Sequence, residues 1–193
     1  MFTKNERRVL RYLIAHFNSE TSINQIAREC QLSPNGAYKI LKKFEEEEVL
    51  ERRKIANVIS YKLIIKTSRA QKIVELAFLY KLEGRMRYRE QDLKPLQEAT
   101  QLALVFGSYI TKKEQPGDLD VLFIIRKRDY TKYHKLKETV ELVLPVKLHD
   151  ILQTKSDLKE NMLKRNPAIL NALSEGVVLW GQDFLLGVLK DVI

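Results

Sequence analysis

The stretch between Leu102 and Ile125 constrains this chain more than any other. Leu102-Ala103-Leu104-Val105-Phe106 is an unbroken apolar run of strand length, and Val121-Leu122-Phe123-Ile124-Ile125 is a second. Runs of this length without alternation read as strands buried on both faces. Gly107-Ser108 follows the first run at once, nine residues intervene, and Asp118-Leu119-Asp120 leads into the second. Glycine at 107 lets the backbone turn tightly and approach a ligand closely. Gly-Ser at a strand end directs N–H groups and a hydroxyl at phosphate oxygens. Asp118 and Asp120 lie two apart on a strand, so both carboxylates face one side. Adjacent carboxylates repel unless a cation sits between them, and hard divalent Mg²⁺ suits them. Each piece alone is common; their order and spacing together are what carry information.

The first third of the chain has a different grammar. Val9, Leu10, Leu13, Ile14 and Phe17 recur at helical spacing over residues 4–17. Ser22-Ile23-Asn24-Gln25 predicts a capping box at the start of a second helix, which turns Ile23, Ile26, Ala27 and Cys30 inward. Gln31-Leu32 makes a short turn, and Ser33-Pro34 starts a third helix, with Ser as N-cap and Pro where its missing N–H costs nothing. In that helix Ala37, Ile40, Leu41 and Phe44 form the inner stripe. Asn35, Tyr38, Lys39 and Lys42 form the opposite face, with Ser33 at its start and Lys43 beside it. Amide and basic side chains on such a face read base edges and phosphates in a major groove, and an ordinary wet helix surface looks the same in isolation. Residues 49–55 and 58–65 then read as two strands around Ala56-Asn57, with Arg52, Arg53 and Lys54 near the tip. Cations so placed bind phosphates without choosing sequence.

Two short helices across a tight turn, followed by a basic hairpin, resemble the winged helix-turn-helix family of prokaryotic transcription regulators. The resemblance covers residues 1–66 and implies binding of double-stranded DNA. Charge agrees: of a net +9, residues 1–66 supply 13 basic against 8 acidic side chains. Glu45-Glu46-Glu47-Glu48 opposes both the helix dipole and DNA, so the run is expected to turn away from the duplex. Residues 67–100 read as a connector. Thr67 or Ser68 caps a helix over 69–88, with Ile73, Val74, Leu76, Ala77, Leu79 and Leu82 on a broad apolar side that serves either packing or homodimerisation.

Residues 101–193 form the third segment. Phe106-Gly107-Ser108-Tyr109 and Gly117-Asp118-Leu119-Asp120-Val121 resemble the signature of the DNA polymerase beta-like nucleotidyltransferase superfamily, particularly its minimal nucleotidyltransferases. Glu175-Gly176-Val177-Val178-Leu179-Trp180-Gly181 resembles the strand that closes many of them. The resemblance covers about residues 100–181. It implies an α+β chain: a winged helix-turn-helix domain followed by a mixed-sheet nucleotidyltransferase domain. It further implies transfer of a nucleoside monophosphate from a nucleoside triphosphate to a hydroxyl, with release of pyrophosphate. Gly107 and Ser108 become triphosphate contacts, and Asp118 and Asp120 become ligands of Mg²⁺ or Mn²⁺. Lys112 or Lys113 either neutralises phosphate or is solvated. Acceptors in the family include small alcohols, nucleic-acid ends and proteins, and antitoxin members modify a partner toxin.

One departure bears on activity. Family members often read Val-Asp-Leu-Val-Asp on a later strand, and matching Val146-Lys147-Leu148-His149-Asp150 to it places Lys147 where the third catalytic acid belongs. Asp150 is the nearby substitute. Three residues along, it points to the opposite face, so either a bulge delivers it or the third acid is missing. His149 reads either as a proton acceptor or as an incidental strand histidine. Two functions therefore stay open: a Mg²⁺-dependent nucleotidyltransferase tethered to DNA, or a transcription regulator whose nucleotidyltransferase-like domain binds nucleotide or a partner without turnover. Cys30 is the only cysteine, which excludes an intrachain disulfide or a cysteine-based zinc site. With no signal-like N-terminus and no apolar run of membrane-spanning length, a cytoplasmic protein is expected.

Overall fold

Thr3 opens the first helix. Its hydroxyl accepts from the Glu6 N–H at 3.2 Å, and Glu6 Oε2 accepts from the Thr3 N–H at 2.8 Å. This reciprocal capping box starts α1 (Lys4–Ala15) in the computed structural model, which describes residues 2–55, 58–110 and 116–193. After the two-residue strand β1 (Thr21–Ser22), Ser22 caps α2 (Ile23–Glu29) by accepting from the Gln25 N–H at 3.2 Å. Ser33 caps α3 (Pro34–Glu46) by accepting from the Gly36 N–H at 3.1 Å, with Pro34 in the first turn. Ser22 and Ser33 cap where expected, but among the described residues only the serine half of the expected Ser22–Gln25 capping box forms, and the Thr3 box is an addition of the structure. β2 (Leu50–Ile55) and β3 (Val58–Leu63) pair antiparallel with Arg52 opposite Tyr61 and Arg53 opposite Ser60, and β1 adds to the outer edge of β3. The expected hairpin tip, Ala56-Asn57, lies outside the described residues.

The expected single helix over 69–88 is two. Thr67 caps α4 (Ser68–Ala77), which stops before the buried Phe78. Gly84, at φ +53°, then begins α5 (Arg85–Leu93). The break has a physical cause: Phe78 and Tyr80 turn inward to lie against Arg11 at 5.0 and 5.5 Å, which a continuous helix would forbid. Leu76 and Leu79, read as part of an apolar side, are left exposed.

The rest of the chain is a mixed four-stranded sheet with helices on both faces. It comprises β4 (Leu102–Phe106), β5 (Asp118–Ile124), α6 (Tyr130–Glu141), β6 (Lys147–Gln153), α7 (Lys155–Leu163), α8 (Pro167–Glu175), β7 (Val177–Trp180) and α9 (Gln182–Val192). Strand order is β6-β5-β4-β7; β4 runs antiparallel to both neighbours, and β5 and β6 are parallel. The architecture is α+β. Pro167 begins α8, with Asn166 Oδ1 accepting from the Ala168 N–H at 3.0 Å.

Alternation along the strands splits the core in two. Ala103, Val105, Val121 and Phe123 face α5 and α6, where Tyr133 and Trp180 pack. Trp180 donates to Thr100 Oγ1 at 3.0 Å, which satisfies its buried N–H. Leu104, Leu122 and Val178 face α7, α8 and α9, and that apolar cluster continues through α1, α2, α3 and α4. The N-terminal helices and the sheet therefore share one core. At their junction Arg11, 1% exposed, donates from Nε and Nη2 to the Leu173 carbonyl at 2.9 and 2.6 Å, and from Nη1 to the Tyr80 hydroxyl. A cation on the last turn of α8 meets both its free carbonyls and its dipole. Cys30 is buried in the same cluster, and burial pushes its thiol up to about 11.

Candidate functional site

Two surfaces carry chemistry. On α3, Ala37, Leu41 and Phe44 are fully buried. Asn35, Tyr38, Lys39 and Lys42 are exposed along the other side, and Arg52, Arg53 and Lys54 are exposed on β2. Three candidates have prior engagements. Ser33 spends its hydroxyl on the cap. Lys43 is bound by Glu6 Oε1 at 2.6 Å, and Arg53 meets Glu51 at 3.2 Å. Burial opposes ionisation of Glu6, but the Lys43 and Thr3 hydrogen bonds outweigh it and hold the carboxyl below its ordinary value. Within the acidic run, Glu47 is drawn to Arg69 of α4.

The second surface lies at the ends of β4, β5 and β6. Gly107 turns the chain out of β4 at φ +74°, and a Cβ there would fall on Asp120 Oδ2. Ser108 Oγ lies 3.4 Å from Asp118 Oδ1. Parallel pairing sets Lys147 beside Asp118 and His149 beside Asp120. Since 147 and 149 share a face, the His149 imidazole joins the two carboxylates: Nδ1 lies 3.2 Å from Asp118 Oδ2 and 3.7 Å from Asp120 Oδ1. Ligand atoms of Asp118, Asp120 and His149 all fall within 4.8 Å of one another. Burial and the neighbouring Asp118 charge raise the Asp120 carboxyl, while His149 works against them.

Asp150 is not part of this group. The register between β5 and β6 runs unbroken from Asp118↔Lys147 to Ile124↔Gln153, so no bulge re-aims it. Its carboxylate points toward α6, where the Tyr133 hydroxyl donates at 2.8 Å and Lys137 Nζ lies at 2.6 Å. Burial raises the Asp150 carboxyl, but Lys137 and Tyr133 outweigh it and hold it below the usual range. Burial pushes the Tyr133 phenol far upward. Lys112, the expected phosphate-neutralising cation, lies outside the described residues. His149 was not among the cation ligands expected from the sequence. Strand parity held the signal: a residue two from Lys147 shares its face.

The donor set is two carboxylate oxygens and one imidazole nitrogen. Mg²⁺ favours oxygen and water throughout, whereas Mn²⁺ and the later first-row divalent ions accept imidazole readily. The residues fit a divalent cation, and they fit Mn²⁺ better than Mg²⁺.

A basic helix face followed by a basic hairpin defines a winged-helix, DNA-binding N-terminal unit. Residues 2–51 match the family described as winged helix-turn-helix DNA-binding. Residues 82–169, which hold Gly107, both aspartates and His149, match a family of unknown function, DUF6932. No curated protein and no solved structure matches the chain. Among the described residues, no helix is long and apolar enough to cross a membrane.

Proposed function

We propose that this chain is a DNA-binding regulator whose C-terminal half holds a divalent cation and a nucleoside triphosphate and transfers the nucleoside monophosphate to an acceptor hydroxyl. One observation carries the reading: Gly107, Ser108, Asp118, Asp120 and His149 converge at the ends of three adjacent strands. Asp118, Asp120 and His149 would hold the cation, which when bound neutralises triphosphate charge. Gly107 brings the backbone close, and Ser108 offers a hydroxyl and an N–H to a phosphate oxygen. The acceptor hydroxyl oxygen bonds to the α-phosphorus and releases its proton to solvent as the bond to the bridging oxygen breaks and pyrophosphate leaves. A partner protein, as in antitoxin-like relatives of the superfamily, is one acceptor class with the required hydroxyls.

A second reading is nucleotide binding without turnover. Asp150 favours it, because the nearest substitute for a third carboxylate is tied to Tyr133 and Lys137. One pair of measurements separates the two. Thermal unfolding with each nucleoside triphosphate, with Mn²⁺ or Mg²⁺, should show a cation-dependent rise in wild type that Asp118→Asn loses. A ligand at 100 times its Kd adds about 2.7 kcal/mol, or roughly 2–4 °C of Tm per kcal/mol in a chain of this size. Label transfer from an α-labelled triphosphate to protein or nucleic acid, also lost in Asp118→Asn, supports transfer. A shift without transfer supports the binding reading, and no shift with any triphosphate rejects both.

A further inference from the structure

Arg7 and Arg11 stand one turn apart on α1, and both guanidinium groups lie over Tyr80, at 4.5 and 5.5 Å from the ring centroid. Arg11 spends its donors on α8 and the Tyr80 hydroxyl. Arg7 differs. Its Nε is buried without a hydrogen-bond partner among the described residues. A buried donor without an acceptor costs free energy until something answers it, and two like charges on one ring invite an anion.

Arg7 also lines a cavity of about 1110 Å³ between α1, α3, α4 and the segment after α4. Its walls are uneven in charge: eight Lys or Arg side chains face three Glu. Lys43, Arg69, Lys72 and Lys81 are answered by Glu6, Glu47, Glu75 and Glu83, whereas Arg7 has no carboxylate in ion-pair range among the described residues. The rest of the wall is mostly apolar, with Thr3, Tyr80 and Ser174 among it. Leu76 and Leu79, 48% and 44% exposed, line the same cavity as Phe2 and Phe44. Cationic donors and exposed leucines lining one cavity are the elements of a small-molecule site, and the volume is slightly above the roughly 300–1,000 Å³ usual for one.

We propose that this cavity binds a small organic anion whose acidic head answers Arg7 and whose apolar body lies against Leu76 and Leu79. The site is separate from the Asp118–Asp120–His149 cluster and stands or falls independently of it. Arginine forks serve carboxylate and phosphate alike, so the head group is either.

The test uses the whole chain and a fluorescent anilinonaphthalene sulfonate, an anion on an aromatic body. Titration should saturate at one site. Arg7→Glu and Leu79→Glu should each weaken binding about tenfold or more, while Lys135→Glu on α6, across the sheet, should leave it unchanged. Thermal unfolding checks that each variant folds; should Arg7→Glu fail to fold, Leu79→Glu carries the test, because Leu79 is exposed. Decanoate and adenosine monophosphate compete as the carboxylate and phosphate sources, and displacement by either supports the site and names its head group. Binding that never saturates, equal affinity in both cavity variants, or displacement by neither competitor overturns the proposal.

Discussion

Gly107 and Asp120 are fitted to each other: a Cβ on residue 107 would fall on Asp120 Oδ2, and the Gly107 backbone at φ +74° is one that other residues rarely adopt. Gly107→Ala should therefore act twice. It should destabilise the fold by about 1–3 kcal/mol through backbone strain and displace the Asp120 carboxylate. Denaturant unfolding reads the first effect. Loss of any Mn²⁺-dependent stabilisation reads the second, and a variant that keeps the full Mn²⁺ response would show that Asp120 is not needed where it stands.

Asp120 itself predicts a pH effect of unusual sign. Burial and Asp118 raise its carboxyl in the folded state. The folded chain thus binds that proton more tightly than the unfolded chain, and stability is lost as pH rises through the raised value. Without added metal, Asp120→Asn should be more stable than wild type at neutral pH, and the difference should close on acidification. Mn²⁺ should reverse the ranking at neutral pH. A wild type that is the more stable of the two without metal would contradict this account.

Asp150 predicts the opposite slope. Burial raises its carboxyl, but Lys137 and Tyr133 outweigh it, so the folded value is depressed. Its contribution is complete at neutral pH and is lost as pH falls below the ordinary carboxylate range through the folded value. Asp150→Asn should cost about 1–3 kcal/mol at neutral pH, with the cost shrinking in acid, while metal-dependent stabilisation is kept. Asp150 would have to be reassigned to the site if its substitution removed the metal response and left stability alone.

Arg11→Ala removes a buried cation from between α1 and α8 and strands the Leu173 carbonyl. A loss of about 2–4 kcal/mol is expected. Calorimetry should show wild type unfolding in one transition, because the two halves share a core. Two well-separated transitions in wild type would mean that the shared core does not couple them.

Lys39 and Arg53 are exposed on α3 and β2. Charge reversal at both, Lys39→Glu with Arg53→Glu, should abolish duplex binding in a fluorescence-anisotropy titration, and each single change should flatten the salt dependence by about one unit of slope. Unimpaired binding by the double variant would place the DNA surface elsewhere.

What the sequence disclosed was mostly local. Ser33-Pro34 and the inner stripe of α3 follow from helix period and cap chemistry, and the Gly107 and Asp118–Asp120 placements follow from strand ends. The acidic run was harder, because Glu47 finds Arg69 of α4 only through tertiary packing. The place of His149 beside the two aspartates was hidden for a related reason. Its neighbours come from β5, and nothing in the local sequence states that β5 and β6 run parallel in that register. The break after Ala77 was hidden too, since it depends on Phe78 and Tyr80 meeting an arginine far away in the chain.

The bond from Arg11 to the Leu173 carbonyl makes the N-terminal unit a poor candidate for exchange. Winged helices are often pictured as interchangeable heads. Here the helix that braces α3 is also the lid on the apolar side of α8. A recombinant chain that borrowed residues 1–66 alone would inherit a bare greasy α1 and an arginine with nothing to hold. Variation is thus channelled into point substitutions on the outer side of α3, where Asn35, Tyr38, Lys39 and Lys42 are exposed and can change without disturbing what lies beneath.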